Sequence, residues 1–419
     1  MSAQAKSSSA PPLDLSRWRP VPLILMVVGG IGVIAGWLKN DEHNGLSQFG
    51  YSWLLSFMFF LSLGLGGLFL VIVHHLFDAS WSVPVRRVNE HLAFLLPVLA
   101  LLWIPIGLLA SKIYPWIQML QRGEMDHALH AKHALFSVPM FYVIAAICFA
   151  VWIFLSWRLR ALSLRQDQTG DPQCTLSWAF GMRVTASIGI FLFALTLTLG
   201  AIMWMKALQH QWFSTMYGVY YFAGSVWTTL ATVYIICLVL KRQGSLRDVV
   251  QEKQFYFLGS LLFAFTVFYA YIAFSQYFII WNANMPEETF WYVVREKGTW
   301  WQIGMIIIFG HFFIPFLSLL RIDVKLSWFM IPIGIWAWLM HFIDLSFNIM
   351  PVLHPNGYVL HWMDIACFLF MAGVLSKVFL MYFSAHAPFP QRDPRLAEGL
   401  DVYVPPVTGH AAEFHGSSK

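Results

Sequence analysis

Ten runs of mostly apolar residues, each long enough to cross a lipid bilayer, constrain this chain more than any other feature. They lie at about 21–38, 51–77, 91–110, 134–157, 180–205, 214–240, 256–281, 301–320, 328–347 and 361–383. A helix needs roughly 20 residues to span the hydrocarbon core. Lipid offers the backbone no hydrogen-bond partner, so runs of this length must satisfy their own N–H and C=O groups as helices. Membrane-barrel strands would be shorter and would alternate in polarity. The expected fold is an all-α integral membrane protein with about ten transmembrane helices. Its membrane domain is 21–383, between an N-terminal tail at 1–20 and a C-terminal tail at 384–419. Charged residues make up 11% of the 419-residue chain, against about 25% in soluble domains. That is too little polar material to coat a soluble surface.

The net charge of +5 does not point to nucleic acid, because the basic residues gather in short loops between the spans. Numbering the runs span 1 to span 10, an even count puts both tails on one side. The tails and the loops on their side carry seventeen Lys and Arg, and the opposite loops carry seven. The positive-inside rule then places both termini in the cytoplasm. Trp37, Trp53, Trp157, Trp300, Trp301 and Trp362 sit at span ends, as interfacial anchors do. Residues 1–20 show no cleavable signal pattern and are expected to be a disordered cytoplasmic tail. The Pro-rich segment after about Phe389 is expected to be the matching tail. Cys148, Cys174, Cys237 and Cys367 form no CxxC or CxxCH pattern. This argues against structural zinc, a cysteine-held iron–sulfur cluster and covalent haem c on this chain.

Ionisable groups at membrane depth are costly and so are candidate functional residues. His74, His75 and Asp78 fall at the cytoplasmic end of span 2, with Arg86, Arg87, Glu90 and His91 in the loop that follows. They read either as a proton uptake point or as an interface cluster whose arginines face lipid phosphates. Gln276 lies in the outer half of span 7, and Glu287 and Glu288 lie beyond its end, either solvated, paired with Arg295 or exchanging protons with a ligand. His311 is near the middle of span 8. His341 and Asp344 stand three residues apart on one face of span 9. A carboxylate beside a histidine can accept the two protons released as a quinol is oxidised; a structural hydrogen bond between helices is the plainer reading. His361 and Asp364 open span 10 from the same side. His127, His130 and His133 form an HxxHxxH loop motif with no obvious acidic fourth ligand beyond Glu124 or Asp126, so no metal site is assigned. Span 4 opens Phe136-Ser-Val-Pro139 and span 8 contains Phe312-Phe-Ile-Pro315, an echo compatible with a parallel repeat of four-helix units.

Four stretches together carry a family resemblance: Trp81-Ser-Val-Pro-Val-Arg86-Arg87-Val-Asn-Glu90, His210-Gln-Trp212 through Gly224-Ser225, Ala270 through Ser275-Gln276-Tyr277 into Pro286-Glu287-Glu288, and Phe313-Ile-Pro315 through Arg321. The combination, over spans 2–10, resembles the ActF family of membrane subunits of bacterial alternative complex III, within the NrfD/PsrC-like superfamily. The resemblance implies two four-helix bundles, at about 51–205 and 214–347, flanked by two further helices. It implies the bacterial inner membrane and a part in quinol:cytochrome c oxidoreduction. The implied partners are a paralogous NrfD-like subunit, an iron–sulfur subunit, c-type haem subunits, small anchor subunits, a terminal oxidase and lipid. Haem c and the iron–sulfur clusters would belong to those partners. This chain would bind no cofactor of its own, with quinol as its one small-molecule candidate. In that family the quinol-oxidising site is assigned to the paralogue, so this subunit is its structural twin and a candidate proton conduit. His74, His75, Asp78 and Glu90 would form a cytoplasmic half-channel, and Gln276, Glu287, His341 and Asp344 an outer half. Gln276, His311, His341 and Asp344 are the candidate contacts of a quinone pocket.

Three other classes compete. A dihaem cytochrome b needs facing histidine pairs that the spans do not supply. A secondary transporter would also place polar groups near the midplane and break its helices with Gly or Pro. An NrfD-type subunit of another menaquinol-linked reductase would share the fold but not the complex.

Overall fold

The computed structural model describes residues 18–39, 42–43, 45–168 and 172–400. Ten helices among them are long and apolar enough to cross a membrane. They are Pro20–Lys39, Gln48–Leu76, Ser80–Leu108, Val138–Gln168, Cys174–Trp204, Tyr217–Arg242, Glu252–Ala283, Trp300–Leu319, Met330–Val352 and Trp362–Ser384, spans 1 to 10 in order. The chain is a multi-pass, all-α integral membrane protein. Among the described residues the only strands are a two-residue hairpin pair, Glu42–His43 with Leu46–Ser47, between spans 1 and 2. The two described chain ends share one side of the bundle, here the tail side; the other is the far side.

Span 2 is the axis. It packs against spans 3, 5, 6, 9 and 10, and span 6 against spans 2, 5, 7 and 9. Spans 4 and 5 pair, as do spans 7 and 8, giving two groups of four joined through spans 2 and 6. Spans 1 and 10 pair beside span 2. Every residue of span 2 from Gln48 to Leu68 is buried, as expected of a helix that is apolar all round. Close approach needs small residues. A Cβ on Gly66 would lie 2.1 Å from Thr229 Oγ1 of span 6, and one on Gly29 would lie 2.3 Å from the Phe370 nitrogen of span 10. Phe191, Leu195, Phe274 and Leu317 stay exposed on spans 5, 7 and 8, where lipid replaces water.

Two spans are irregular, each beside a proline. Span 3 is built from Val83–Ala93, Leu96–Leu102 and Ile104–Leu108, with Pro97 and Pro105 in the first turns of the second and third segments. Proline has no N–H to give to the preceding turn, so each restarts the helix. The same span begins earlier than the sequence suggests. Arg86, Arg87 and Glu90, expected in a loop, are helical and buried. Ion pairs three and four residues apart neutralise them inside the helix, which apolar patterning does not register. Span 8 runs as a π-helix over Ile307–Phe313, just ahead of Pro315. Such wide turns often mark functional positions, and this one holds His311.

Candidate functional site

Two polar clusters occupy opposite ends of the bundle. The tail-side cluster is ionic. Arg86 pairs with Glu90 at 3.0 Å and with Asp393 at 2.5 Å. Arg87 pairs with Glu90 at 2.7 Å and with Asp167 of span 4. Asp78 closes span 2 in the left-handed region, φ 49°, a conformation aspartate tolerates better than most residues. It pairs with Arg395 at 2.6 Å and with Arg183 of span 5. Asp393 lies outside the spans, and although burial opposes its charge, Arg86 and Arg395 hold its carboxyl well below the usual range. His74 is locked into this lattice. Arg86 donates to His74 Nε2 at 2.9 Å, and a guanidinium cannot accept. The imidazole proton must then sit on Nδ1, which donates to Ser82 Oγ at 2.6 Å; that hydroxyl donates to the Ala79 carbonyl at 3.0 Å. His75 is buried beside it, and neither ring nitrogen has a partner among the described residues.

The far-half cluster surrounds Asp344 of span 9. Tyr269 of span 7 donates to Asp344 Oδ1 at 2.7 Å, and Tyr220 of span 6 donates to the same oxygen. The two hydroxyls lie 2.7 Å apart. The Asn348 amide reaches Oδ1 at 3.4 Å and the Asp344 carbonyl at 2.8 Å, and Tyr217 donates to Asn348 Oδ1 at 3.1 Å. No ion pair reaches Asp344 among the described residues. His341 faces span 2 instead. Ser62 donates to the Phe59 carbonyl at 2.6 Å, so His341 Nε2–H donates to Ser62 Oγ at 3.0 Å. Its Nδ1 is then an acceptor with no partner among the described residues. Gly224 leaves it room, since a Cβ there would lie 3.3 Å from Nδ1. His311 is fully buried between Trp227 and Tyr269, with ring centroids 3.9 and 3.8 Å away, and neither nitrogen has a partner among the described residues. Both faces of that imidazole are covered.

The structure thus brings His74, His75, Asp78 and Glu90 together, and separately His341, Asp344 and His311. His341 and Asp344 share a helix face but bond to different helices, not to each other. Gln276 stands apart: its carbonyl accepts from Ser214 at 2.7 Å and its amide donates to Tyr292 at 3.1 Å. Glu287 is exposed on the helix Pro286–Arg295 and makes no ion pair among the described residues. Arg295 is not its partner. That guanidinium is buried, donates to the carbonyls of Phe347, Asn348 and Trp291, each at 2.9 Å, and lies 3.5 Å from the Trp291 ring centroid. Burial pulls its pKa down to about 9, against an opposing pull from neighbouring tyrosines. Asp364 joins a different chain. It accepts from Ser52 at 2.5 Å, Ser52 from Gln48 at 3.1 Å, and His354 meets Gln48 at 2.7 Å.

The histidine motif at 127–133 is organised by Asp126, which caps the helix His127–Ala131 through the Leu129 N–H at 2.7 Å and binds His210 at 2.8 Å. No three His, Cys, Asp or Glu side chains among the described residues form a metal-holding group. Sequence reasoning missed Tyr217, Tyr220, Tyr269, Asn348 and Asp393. A tyrosine or asparagine in an apolar span reads as an ordinary interfacial residue, and Asp393 reads as part of a tail. Comparison with known protein families and with curated proteins finds no match to this chain.

Proposed function

We propose that this chain is a membrane subunit of a quinol-oxidising respiratory complex of the alternative complex III type, in the bacterial inner membrane with its tail side cytoplasmic, and that its own task is to hold and move protons. The observation that supports this best is the setting of Asp344. A carboxyl buried at membrane depth, bound by two tyrosine hydroxyls and an amide and lacking a cation, can hold its hydrogen bonds with or without its proton. His341 Nδ1 adds an unused acceptor one helical turn away. His311 offers a quinol ring no open face, because Trp227 and Tyr269 already stack on it, so the cluster suits a proton site better than a quinol ring site. Quinol oxidation itself then belongs to the paralogous partner subunit, and the haem and iron–sulfur centres to the other partner subunits.

Two experiments test the reading. Mild-detergent purification from the native membrane should recover the chain with a multihaem c subunit and a large iron–sulfur subunit; recovery alone, or with a substrate-binding protein, would return a secondary transporter to the front. In the assembled complex, Asp344→Asn should lower the proton-to-electron ratio or the turnover. If both stay at their original values, Asp344 carries no proton that matters.

A further inference from the structure

The segment after span 10 does not leave the protein. Pro388, Phe389 and Pro390 are packed against the bundle. From Gln391 the chain crosses the tail-side ends of four spans. Gln391 N–H donates to Asp167 Oδ1 of span 4 at 3.0 Å, Asp393 meets Arg86 of span 3 at 2.5 Å, and Arg395 meets Asp78 at the end of span 2 at 2.6 Å. The Gly399 carbonyl accepts from Gln254 of span 7 at 3.2 Å. Gly399 also lies so close to the start of span 3 that a Cβ there would be 2.5 Å from the Ser80 carbonyl oxygen. His75 lies against His74, with ring centroids 4.7 Å apart, and His74 accepts from Arg86, the partner of Asp393.

This arrangement divides the segment physically. Its proximal part is held by apolar packing. Its distal part is held by charges and backbone hydrogen bonds, with Gln391, Arg392, Pro394 and Glu398 exposed. Ion pairs of this kind are directional, and each depends on its partner. Beside His74 lies His75, buried and with no protein partner on either ring nitrogen among the described residues, an exception that needs a physical reason in a native fold.

We propose that residues 391–400 are a latch, hinged at Pro388–Pro390, that shuts the tail-side mouth of the His74–His75 site, with Asp393 as the bolt between Arg86 and Arg395. Releasing the bolt admits water to His75. This holds whatever the chain transports or supports, so its test does not depend on quinol chemistry.

The test is cysteine accessibility in the purified full-length protein, kept with whatever subunits accompany it. His75→Cys is made in a Cys174→Ser background, because Cys174 is exposed and would react first. Its rate of reaction with a charged, water-soluble maleimide is compared in the full chain, a chain ending at Leu400, a chain ending at Pro390, and Asp393→Asn. The latch predicts slow labelling in the first two and at least about tenfold faster labelling in the last two, with elution and helical content unchanged. Equal rates in all four would overturn it. If Asp393→Asn does not fold, Arg395→Ala and the Pro390 truncation decide the question. Amide exchange over 74–82 should rise in the same variants, which reads the opening without any cysteine.

Discussion

The two polar clusters solve the burial of charge in opposite ways. On the tail side Arg86, Arg87, Arg183 and Arg395 are met by Asp78, Glu90, Asp167 and Asp393. In the far half Asp344 has no cation, and Arg295 has no anion among the described residues. Asn348 links the two: its carbonyl takes Arg295 and its amide touches Asp344. A lattice of paired charges fixes shape, because protonating any acid in it takes a partner from at least one arginine. An acid held by hydroxyls and an amide can change protonation and keep its neighbours. One end of this bundle therefore neutralises its buried charges in pairs, and the other holds an acid by hydrogen bonds alone, as the proposed proton site requires.

The sharpest way to break that contrast is Arg86→Met. Glu90 and Asp393 would each lose a buried partner, and His74 its donor. Removing one side of a buried pair costs about 3–5 kcal/mol, so the unfolding midpoint in detergent should fall by many degrees at a fixed scan rate. A loss under about 1 kcal/mol would mean the lattice is no tighter than a surface ion pair. Tyr269→Phe comes next. It deletes one hydroxyl from Asp344 and leaves the ring stacked on His311. A hydrogen bond to a charged group is worth about 1.5–3 kcal/mol, and a loss near the top of that range would mean that Asp344 rests as the anion. Asp344→Asn should be milder still in stability, within about 1 kcal/mol, since the amide oxygen still accepts from Tyr220 and Tyr269. Its effect should appear in proton movement instead. If it unfolds the protein as badly as Arg86→Met, the far-half acid is architectural and the contrast fails.

The ten spans were legible because an apolar run long enough to cross a bilayer has one structural solution. Their ends were legible only where charge and apolarity separate. Arg86, Arg87 and Glu90 defeat that rule, since a helix that pairs its own charges can carry them inward. His341 and Asp344 could be found from their depth and spacing, but not their partners. Tyr269 lies 75 residues from Asp344 in sequence, and Asp393 lies 307 from Arg86. A local pattern holds no record of such distances. The C-terminal segment is the plainest case: its prolines and charges predict a tail, yet residues 388–400 are packed, because their matching charges stand on spans 2, 3 and 4. Residues 1–17 and 401–419 of the expected tails lie outside the described residues.

The smallest predicted effect concerns a third kind of carboxylate, the partly exposed Asp126 of the far-side loop. Burial alone would raise its pKa, but hydrogen bonds from Gln211, His210 and the Leu129 N–H hold it at about 2. The unfolded value is about 3.9. A folded pKa below the unfolded one contributes stability that is complete above the unfolded value and is lost as pH falls toward about 2. The loop from 122 to 133, with its cap on Leu129 and its tie to His210, should therefore keep its protection from amide exchange at pH 5 and lose part of it near pH 2, after correction for intrinsic rates. Asp126→Asn should flatten that difference without touching the bundle. Equal protection at both pH values would mean that the Asp126 contacts do not hold the loop. A parallel loss across spans 2 and 3 would place the acid-sensitive step in the tail-side lattice instead, where Asp393 sits well below the usual carboxyl range for a different reason, the two arginines that grip it.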